Sequence, residues 1–275
     1  MDKKFLVIGS NSFSGSHFVD DLINLGIKVL GVSRSEEPSE EFLPYKWNNN
    51  NLDNFNFEKI DLNKDLDKLI NHISKFKPTH IVNFASQGMV AESWKKPIDW
   101  YKTNVISQVA FHDEIRKLSF LEKYVHITTP EVYGDTGKGW IKENFNFSPS
   151  TPYAVSRACC DLHLMSFFKS YKFPVVFTRA ANVYGPGQQL YRIIPRAILS
   201  AKCNKNGKIN SLRKVGTNEK TVLDLQLESL DIEFANKFVV LGENNQEWSN
   251  NGFTKILNSS WFESNSGYSL YLALE

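Results

Sequence analysis

The 275-residue chain has few of the features that distinguish secreted, membrane-bound and nucleic-acid-binding proteins. Its three cysteines, Cys159, Cys160 and Cys203, lie in no metal-ligand spacing. An odd number of cysteines without a disulfide framework favours reduced thiols, so we expect a cytoplasmic protein without a bound metal. The first apolar run, residues 5–9, is too short for a signal peptide or a membrane span. A net charge of +2 supplies no field that would recruit nucleic acid or an anionic membrane.

Short apolar runs alternate with amphipathic stretches along the first 180 residues. The runs predict strands at residues 5–8, 28–33, 80–84, 124–128 and 175–178. The amphipathic stretches predict helices at 14–25, 65–75, 97–117 and from Pro152 onward. This alternation is typical of βαβ units with a parallel sheet. We therefore expect an α/β fold, a doubly wound parallel sheet of the Rossmann type.

Two regions depart from this alternation. Residues 35–56 are polar and rich in turn-forming residues, and we interpret them as a surface excursion. From Cys203 onward, apolar residues are scattered without a sustained period, although 222–230 and 238–241 could form elements. The predicted domains are a dinucleotide-binding domain over residues 1–190 and a small, shortened or divergent substrate-binding lobe over 191–275.

A glycine-containing turn follows the first predicted strand and opens the first predicted helix. Gly9 and Gly15 have the spacing needed for a tight turn and for close helix–strand packing. A pyrophosphate can bind there to backbone N–H groups at the helix N-terminus. The middle position, where a glycine is expected, is Ser12, which is small and can donate a hydrogen bond. The placement directly after a strand favours cofactor binding over a purely structural turn.

The residues after the second strand, and those after a further strand expected just before Asp61, bear on which dinucleotide binds. A carboxylate after the second strand binds the ribose of NAD, whereas an arginine accommodates the phosphate of NADP. This chain has Ser33 and Arg34 at that point, which leans toward NADP, although a solvated arginine on a loop is an equal alternative. Asp61 and Leu62 could hold the adenine edge, or Asp61 could serve as a helix cap.

A second group of polar residues has the types needed for redox chemistry. Tyr153 and Arg157 are four residues apart in a predicted helix and share a face. A phenol has a pKa near ~10, so it acts as a base at neutral pH only if a cation such as Arg157 stabilises the phenolate. Thr129 ends a predicted strand at the edge where ligands bind in open α/β sheets, and Glu131 follows it. Taken separately, such residues are usually surface decoration or caps.

In combination and in this order, the motifs resemble those of a known family. The chain resembles the extended short-chain dehydrogenase/reductases that act on nucleotide sugars, most closely the dTDP-glucose 4,6-dehydratase group. Five segments carry the resemblance: residues 9–18, 83–104, 128–135 (TTPEVYGD), 151–161 (TPYAVSRACCD) and 178–195.

The resemblance implies roles for individual residues. Tyr153 would remove the proton of the sugar 4-hydroxyl while hydride passes to the nicotinamide, and Arg157 would hold the nicotinamide ribose in place of the family lysine. Thr129 would bind the sugar hydroxyl, and Glu131 would abstract the C5 proton. The remaining roles are cofactor contacts, at Phe13, Ser14, Ala85 and Ser86, and substrate contacts, at Asn182 and Arg192. The implied partners are NAD, a nucleotide-diphosphate sugar and a second copy of the chain. The second copy would dock through the helix with Cys159, Cys160 and Leu164, although a helix packed inside one chain would show the same pattern.

The sequence departs from the family pattern at three places. Pro130 replaces the aspartate that protonates the leaving C6 hydroxyl, so another acid, Glu131 or water, would be needed. Arg157 replaces lysine, a change that keeps the charge but alters the geometry. After residue 198 the family continuation is missing, and a shift of the reading frame near residue 200 is one hypothesis. We therefore expect a nucleotide-sugar 4,6-dehydratase. A 4-epimerase, a uronic-acid decarboxylase and a cofactor-binding protein with impaired catalysis are the alternatives.

Overall fold

The computed structural model describes residues 3–47, 51–137 and 141–196, together with the backbone of two later strands. Residues up to Gln188 belong to one compact unit, and those from Gln189 belong to a second. The first unit has six strands: β1 (Lys4–Ile8), β2 (Lys28–Ser33), β3 (Phe55–Lys59), β4 (His80–Asn83), β5 (Lys123–Ile127) and β6 (Val175–Thr178). Its helices are α1 (Phe13–Asn24), α2 (Leu66–Phe76), α3 (Val90–Lys95), α4 (Pro97–Tyr101), α5 (Ser107–Ile115) and α6 (Pro152–Tyr171).

The six strands form one parallel sheet in the order β3-β2-β1-β4-β5-β6. All five neighbouring pairs are parallel. The sheet order reverses between β1 and β4, the point at which open α/β sheets bind ligands beyond the strand carboxyl ends. The predicted doubly wound Rossmann sheet is therefore confirmed.

Apolar side chains from the strands and helices fill two clusters. The larger includes Leu6, Ile81, Phe111 and Leu164, which are fully buried. The smaller packs Val19 and Ile23 of α1 together with Val7 of β1. Because both faces of the central strands are covered, most of their residues are apolar, as the runs in the sequence predict.

The predicted surface excursion at 35–56 is partly wrong. Leu43 and Tyr45 lie in this polar segment, yet both are fully buried and belong to the smaller core cluster. Two short 3₁₀ turns, Glu40–Phe42 and Pro44–Lys46, bring these side chains inward, and the segment ends in β3. Isolated apolar residues among polar ones have no period, so their burial was not visible in the sequence.

The predicted long helix at 97–117 is interrupted in its middle. It comprises α4, a π-helical segment at Lys102–Ile106 and α5. A π segment inserts an extra residue into a helical turn and is frequent at functional sites. Here it places Asn104 in the interior, fully buried.

The second unit is described only in part. Its strands β7 (Phe238–Gly242) and β8 (Thr254–Asn258) form a parallel pair, so the element expected at 238–241 is confirmed as a strand. The element expected at 222–230 and Cys203 lie outside the described residues, and the domain boundary at residue 190 stays a prediction. None of the helices in the described residues has the length and apolar character needed to cross a bilayer.

Candidate active site at the carboxyl edge of the sheet

The turn between β1 and α1 has the geometry of a phosphate-binding turn. Gly9 has a φ of +83°, a conformation that favours glycine. A Cβ on Gly15 would lie 2.2 Å from the carbonyl oxygen of Gly9, so only glycine fits at position 15. Ser12 caps α1, because its Oγ accepts a hydrogen bond of 3.1 Å from the backbone N–H of Gly15. The serine that departs from the glycine pattern therefore serves the helix start.

The side chains near the first turn of α1 also meet a loop that follows β6. A Cβ on Gly185 would lie 3.3 Å from the ring of Phe13, and His17 Nε2 is 3.0 Å from the carbonyl oxygen of Pro186. Phe13, Ser14 and this loop line an open, mostly apolar cavity of about 430 Å³. Phe13 and Ser14, both predicted cofactor contacts, thus lie at the mouth of a depression.

The end of β2 carries no carboxylate directed toward the turn. Ser33 is buried, and its Oγ accepts a hydrogen bond of 3.0 Å from the backbone N–H of Asn11. Arg34 is exposed, and its Nη1 donates to Gln87 Oε1 at 3.3 Å. The next two carboxylates are paired with lysines: Glu36 with Lys59 and Glu37 with Lys46.

Asp61 and Leu62 follow β3 but differ in exposure. The Asp61 carboxylate accepts a hydrogen bond of 2.9 Å from the backbone N–H of Asn63, which closes a small turn. The α2 helix begins five residues later and has Asp65, not Asp61, at its cap position. Leu62 belongs to the larger core cluster, so its side chain packs inside the protein.

Buried side-chain amides hydrogen-bond the backbone of the loop that follows β4. The backbone N–H of Ala85 donates to Asn83 Oδ1 at 2.9 Å, and its carbonyl accepts from Gln108 Nε2 at 3.1 Å. Asn104 bonds the backbone N–H and carbonyl of Gln87, at 2.7 and 3.0 Å, and donates to Ser156 Oγ at 3.0 Å. Ser86 is exposed at the top of this loop.

Asn104 was not among the predicted site residues. It links the loop that carries Ala85 and Ser86 to helix α6, since Ser156 Oγ in turn donates to the carbonyl of Tyr153 at 2.7 Å. The signal that could have found it is a polar residue in the middle of a predicted amphipathic helix.

Thr129 and Glu131 lie directly beyond β5. Thr129 is 7% exposed, and its Oγ1 accepts a hydrogen bond of 3.2 Å from the backbone N–H of Glu131. Pro130 opens the 3₁₀ turn Pro130–Tyr133 and fits there because the first position needs no N–H donor. Glu131 is exposed at its rim, and partial burial of its carboxyl raises its pKa above the ordinary value. A raised carboxyl pKa suits a group that accepts and returns protons.

Tyr153 lies in the first turn of α6, which Thr151 caps by accepting a hydrogen bond of 3.1 Å from the N–H of Ala154. The backbone N–H of Tyr153 donates to Ser93 Oγ at 3.2 Å, so α3 supports this turn. The sheet topology brings Tyr153 and the Thr129–Glu131 turn to the same edge.

Arg157 is 2% exposed, and its hydrogen-bond partners lie on β5. Its Nη2 donates to the carbonyl of Ile127 and lies 3.3 Å from His126 Nε2. Its Nε and Nη1 have no hydrogen-bond partner among the described residues. The guanidinium is thus directed into the protein beneath the site, and its expected contact with the nicotinamide ribose stays a prediction.

The interior next to Arg157 is unusually polar. Tyr124 Oη bonds His112 Nε2 at 2.8 Å and Asn83 Nδ2 at 2.9 Å, and Asp161 lies between His126 and Arg179. Burial lowers the pKa of both His112 and His126 and raises the pKa of Asp161 to about 6. His112, His126 and Cys160 bring ligand atoms within 4.8 Å of one another, but the Arg157 cation beside His126 opposes a bound metal ion.

The two predicted substrate contacts lie in different units. Asn182 follows β6 in the first unit and is exposed. Arg192 belongs to the second unit, where its guanidinium lies 5.5 Å from the ring centroid of Tyr191. Their roles as substrate contacts stay predictions.

Comparison with known proteins identifies the family to which this site belongs. The family model described as GDP-mannose 4,6 dehydratase matches residues 6–221, more than half of the chain. The chain belongs to the GDP-mannose 4,6 dehydratase family. The predicted resemblance to the nucleotide-sugar dehydratases and epimerases is thereby confirmed.

Individual relatives of this family member agree with the assignment. A dTDP-D-glucose 4,6-dehydratase from Dictyostelium discoideum is 28% identical over 84% of the chain and 55% of its own length. The crystal structure of a dTDP-glucose 4,6-dehydratase from Streptomyces venezuelae, with NAD and TYD bound, gives a TM-score of 0.63 at 26% identity, covering 72% of this chain and 61% of that one. A UDP-N-acetylglucosamine 4-epimerase from Methanobrevibacter ruminantium gives 0.62 at 28% identity, covering 74% and 62%. The chain thus spans little more than half the length of these relatives.

Proposed function

We propose that the protein is a nucleotide-sugar 4,6-dehydratase that oxidises its substrate transiently at C4. The observation that carries the proposal is the placement of Tyr153, Thr129 and Glu131 at the carboxyl edge of the sheet, beyond the Gly9–Gly15 turn. These residue types supply a phenol base, a hydroxyl and a carboxyl, the groups that C4 oxidation and C5 deprotonation require. The likeness to dTDP-glucose 4,6-dehydratases supports the same assignment.

The turn between β1 and α1 fits the pyrophosphate of a nicotinamide dinucleotide. The first-turn N–H groups of α1 have no intrahelical acceptors, and the close approach at Gly9 and Gly15 leaves backbone exposed to a ligand. Phe13, Ser14, Ala85 and Ser86 would line the cofactor. When bound, the nicotinamide would accept hydride from C4 of the sugar and return it at C6.

The proposed cofactor is NAD, which the Streptomyces relative binds. Arg34 and Ser33 stand where a ribose-binding carboxylate selects NAD, so NADP is a second candidate. Comparing the dissociation constants of the two dinucleotides decides between them. An Arg34→Ala variant should weaken NADP binding more than NAD binding if Arg34 contacts the additional phosphate.

In the proposed oxidation, Tyr153 accepts the proton of the 4-hydroxyl and Thr129 holds the same hydroxyl by a hydrogen bond. Arg157 lies one helical turn away on α6. Because its guanidinium bonds the carbonyl of Ile127, we propose that Arg157 acts through its charge and through the position of β5.

In the proposed elimination, Glu131 removes the C5 proton, which the C4 ketone has made acidic. Pro130 cannot protonate the leaving C6 hydroxyl. We propose that protonated Glu131 transfers this proton to the C6 oxygen, so that the C6–O bond breaks and water leaves. The raised pKa of Glu131 favours such a two-way transfer.

A 4-epimerase or a uronic-acid decarboxylase is the second candidate, because both share C4 oxidation and neither needs an acid at Pro130. The similarity to a 4-epimerase at 28% identity favours the former. A third candidate is a protein that binds the cofactor without turnover.

Incubating the purified protein with dTDP-glucose, UDP-glucose and GDP-mannose separates these functions. A 4-keto-6-deoxy product supports the dehydratase, and a C4 epimer or released carbon dioxide supports the second candidate. Cofactor binding without any product supports the third. Tyr153→Phe should abolish all C4 chemistry while cofactor binding persists, and full activity in this variant would overturn the role of Tyr153.

We further propose a cytoplasmic homodimer that docks through α6. Cys160 and Leu164 are fully buried in the chain's own core, so the expectation that they lie at the interface is wrong. Val155, Cys159 and Leu162 instead form an exposed stripe on this helix. Leu162→Glu should shift the molar mass measured by light scattering from dimer to monomer. Phe168→Glu, on the opposite side of the same helix, should leave the mass unchanged.

A further inference from the structure

An arginine enclosed by aromatic rings lies behind the candidate site. Arg179 directly follows β6, and its side chain is 9% exposed. Its guanidinium carbon lies 5.5 Å from the ring centroid of Tyr133, 5.3 Å from Phe145, 5.2 Å from Phe147 and 5.6 Å from Phe177. A guanidinium within ~6 Å of an aromatic ring is attracted by the ring's electron density. We call these four rings and Arg179 the arginine cage.

The cage is tied to helix α6 through a charged hydrogen bond. Arg179 Nη2 donates to Asp161 Oδ2 at 3.0 Å. Asp161 is fully buried, and the same oxygen accepts a hydrogen bond of 3.1 Å from Thr128 Oγ1. Asp161 therefore joins the ends of β5 and β6 to the helix that carries Tyr153.

The cage also includes a residue of the 3₁₀ turn that carries Glu131. Tyr133 is the last residue of that turn, and its hydroxyl donates to the carbonyl of Asn144 at 3.1 Å. The carbonyl of Val132 accepts a hydrogen bond of 3.0 Å from the N–H of Ser148. Phe145 and Phe147 lie in the same segment as Asn144 and Ser148, residues 144–148, and this segment leads on to the start of α6.

Arg179 itself has no role in the proposed chemistry, because its guanidinium is ion-paired with Asp161 and packed against the aromatic rings. The cage is instead linked to both elements that carry the proposed catalytic groups. Glu131 is attached to the cage through Tyr133, and Tyr153 is attached to it through Asp161. Thr129 precedes Glu131 by two residues and follows Thr128, which Asp161 holds.

We propose that Arg179 is a positioning residue that sets the distance between Glu131 and Tyr153, and thereby serves the elimination step. This inference rests on the proposed dehydratase function. A displacement of about 1 Å in a catalytic group can slow a step ~100-fold. Loss of the cage should release the Glu131 turn, whereas α6 retains Tyr153 through Thr151 and Ser93.

The test compares Arg179→Lys with Arg116→Lys. Arg116 is a matched control because it also pairs with an aspartate, Asp113, and lies over an aromatic ring, Tyr171, at 4.6 Å. Lysine keeps the charge but cannot lie flat between rings and donate in parallel. Phe147→Leu is a second variant that removes one ring and leaves the ion pair in place.

The kinetic measurements follow C4 oxidation, as reduced cofactor in single turnover, and elimination, as exchange of the C5 hydrogen with deuterated water. In Arg179→Lys, elimination should slow ~10- to 100-fold while C4 oxidation changes less than about threefold. Reduced cofactor should then accumulate. Arg116→Lys should change neither rate by more than about twofold. Equal losses in both steps, or no loss in elimination, would overturn the proposal.

Amide hydrogen exchange tests the inference even if no sugar nucleotide is turned over. Exchange in peptides covering 131–134 should accelerate in Arg179→Lys and Phe147→Leu but not in Arg116→Lys. Unchanged exchange there would show that the cage does not hold the turn. Absence of all turnover in the unsubstituted protein, with accelerated exchange in the variants, would instead overturn only the dehydratase assignment.

Discussion

The surroundings of the Glu131 carboxyl predict how the rate of the proposed elimination depends on pH. Partial burial raises the pKa of this carboxyl, so the carboxylate that would remove the C5 proton in the proposed elimination is lost at a higher pH than for an ordinary glutamate. The elimination rate should therefore fall as the pH drops through this raised pKa. Glu131→Gln should slow elimination ~10²- to 10⁴-fold, because an amide cannot accept the proton.

The measurement is product formation in the unsubstituted protein across pH 4–8, together with single-turnover cofactor reduction in the variant. C4 oxidation should persist in Glu131→Gln, because the proposed mechanism assigns that step to Tyr153. A variant that still forms the 4-keto-6-deoxy product at the original rate would contradict the role of Glu131.

Single residues also show which features of the site can be predicted from sequence patterns. Gly9 and Gly15 were predictable, because a tight turn and a close approach each demand glycine. Arg157 was predictable as a cation on the face of Tyr153, but not in its contacts with Ile127 and His126. Helical spacing gives the side of the helix, whereas the path of a long side chain depends on what packs around it.

At the scale of elements, substitutions of two glycines can test whether the turn from β1 into α1 binds the cofactor. Gly15→Ala would place a Cβ 2.2 Å from the Gly9 carbonyl, which must shift. We expect cofactor affinity to fall at least ~10-fold, since the N–H groups proposed to bind the phosphate move with that backbone. Isothermal titration with NAD measures the change.

Gly26→Ala is the control for this substitution. Gly26 ends α1 with a φ of +73°, and a Cβ there meets nothing within 4 Å. Alanine at this position should destabilise the fold by ~1 kcal/mol through backbone strain but leave NAD affinity unchanged. Equal affinity losses in both variants would mean that general destabilisation, not the turn, lowers binding.

The elements differ in how well the sequence predicted them. Strands β1, β2 and β6 were predicted closely, because each contains a short, mainly apolar run bounded by polar or turn-forming residues. The π segment at Lys102–Ile106 was not predicted, since its buried Asn104 bonds residues distant in the sequence, which a local helical period does not show. Helix α3 is six residues long, too short to show a period.

At the scale of the whole molecule, the buried histidines predict the response to acid. Burial keeps the pKa of His112 and His126 below 6.5, so these side chains stay neutral in the folded protein. Below pH 6.5 the unfolded chain binds protons that the folded chain does not, and stability falls as the pH falls. Asp161 opposes this, because its pKa of about 6 lets the folded protein bind a proton earlier than the unfolded chain.

The lowered pKa values of the two histidines reduce stability in acid by more than the raised pKa of Asp161 increases it, so the protein loses stability in acid. Each histidine contributes a slope of up to ~1.4 kcal/mol per pH unit below pH 6.5. His126→Asn should therefore reduce the slope of unfolding free energy against pH, measured by urea denaturation between pH 6.5 and 5. Comparison at pH 8 isolates the packing change, since both histidines are neutral in both states. An unchanged slope would show that His126 does not remain neutral in the fold.

The order of the strands has a consequence for synthesis on the ribosome. Strands β1, β2 and β3 are neighbours in the sheet and all emerge within the first 59 residues, so half of the sheet can pair early. Strand β4 must then join the other side of β1, and Gly9 packs against Phe84 and Ala85, which follow β4. A nascent chain would therefore complete its proposed nucleotide site only after its second half-sheet has begun to assemble.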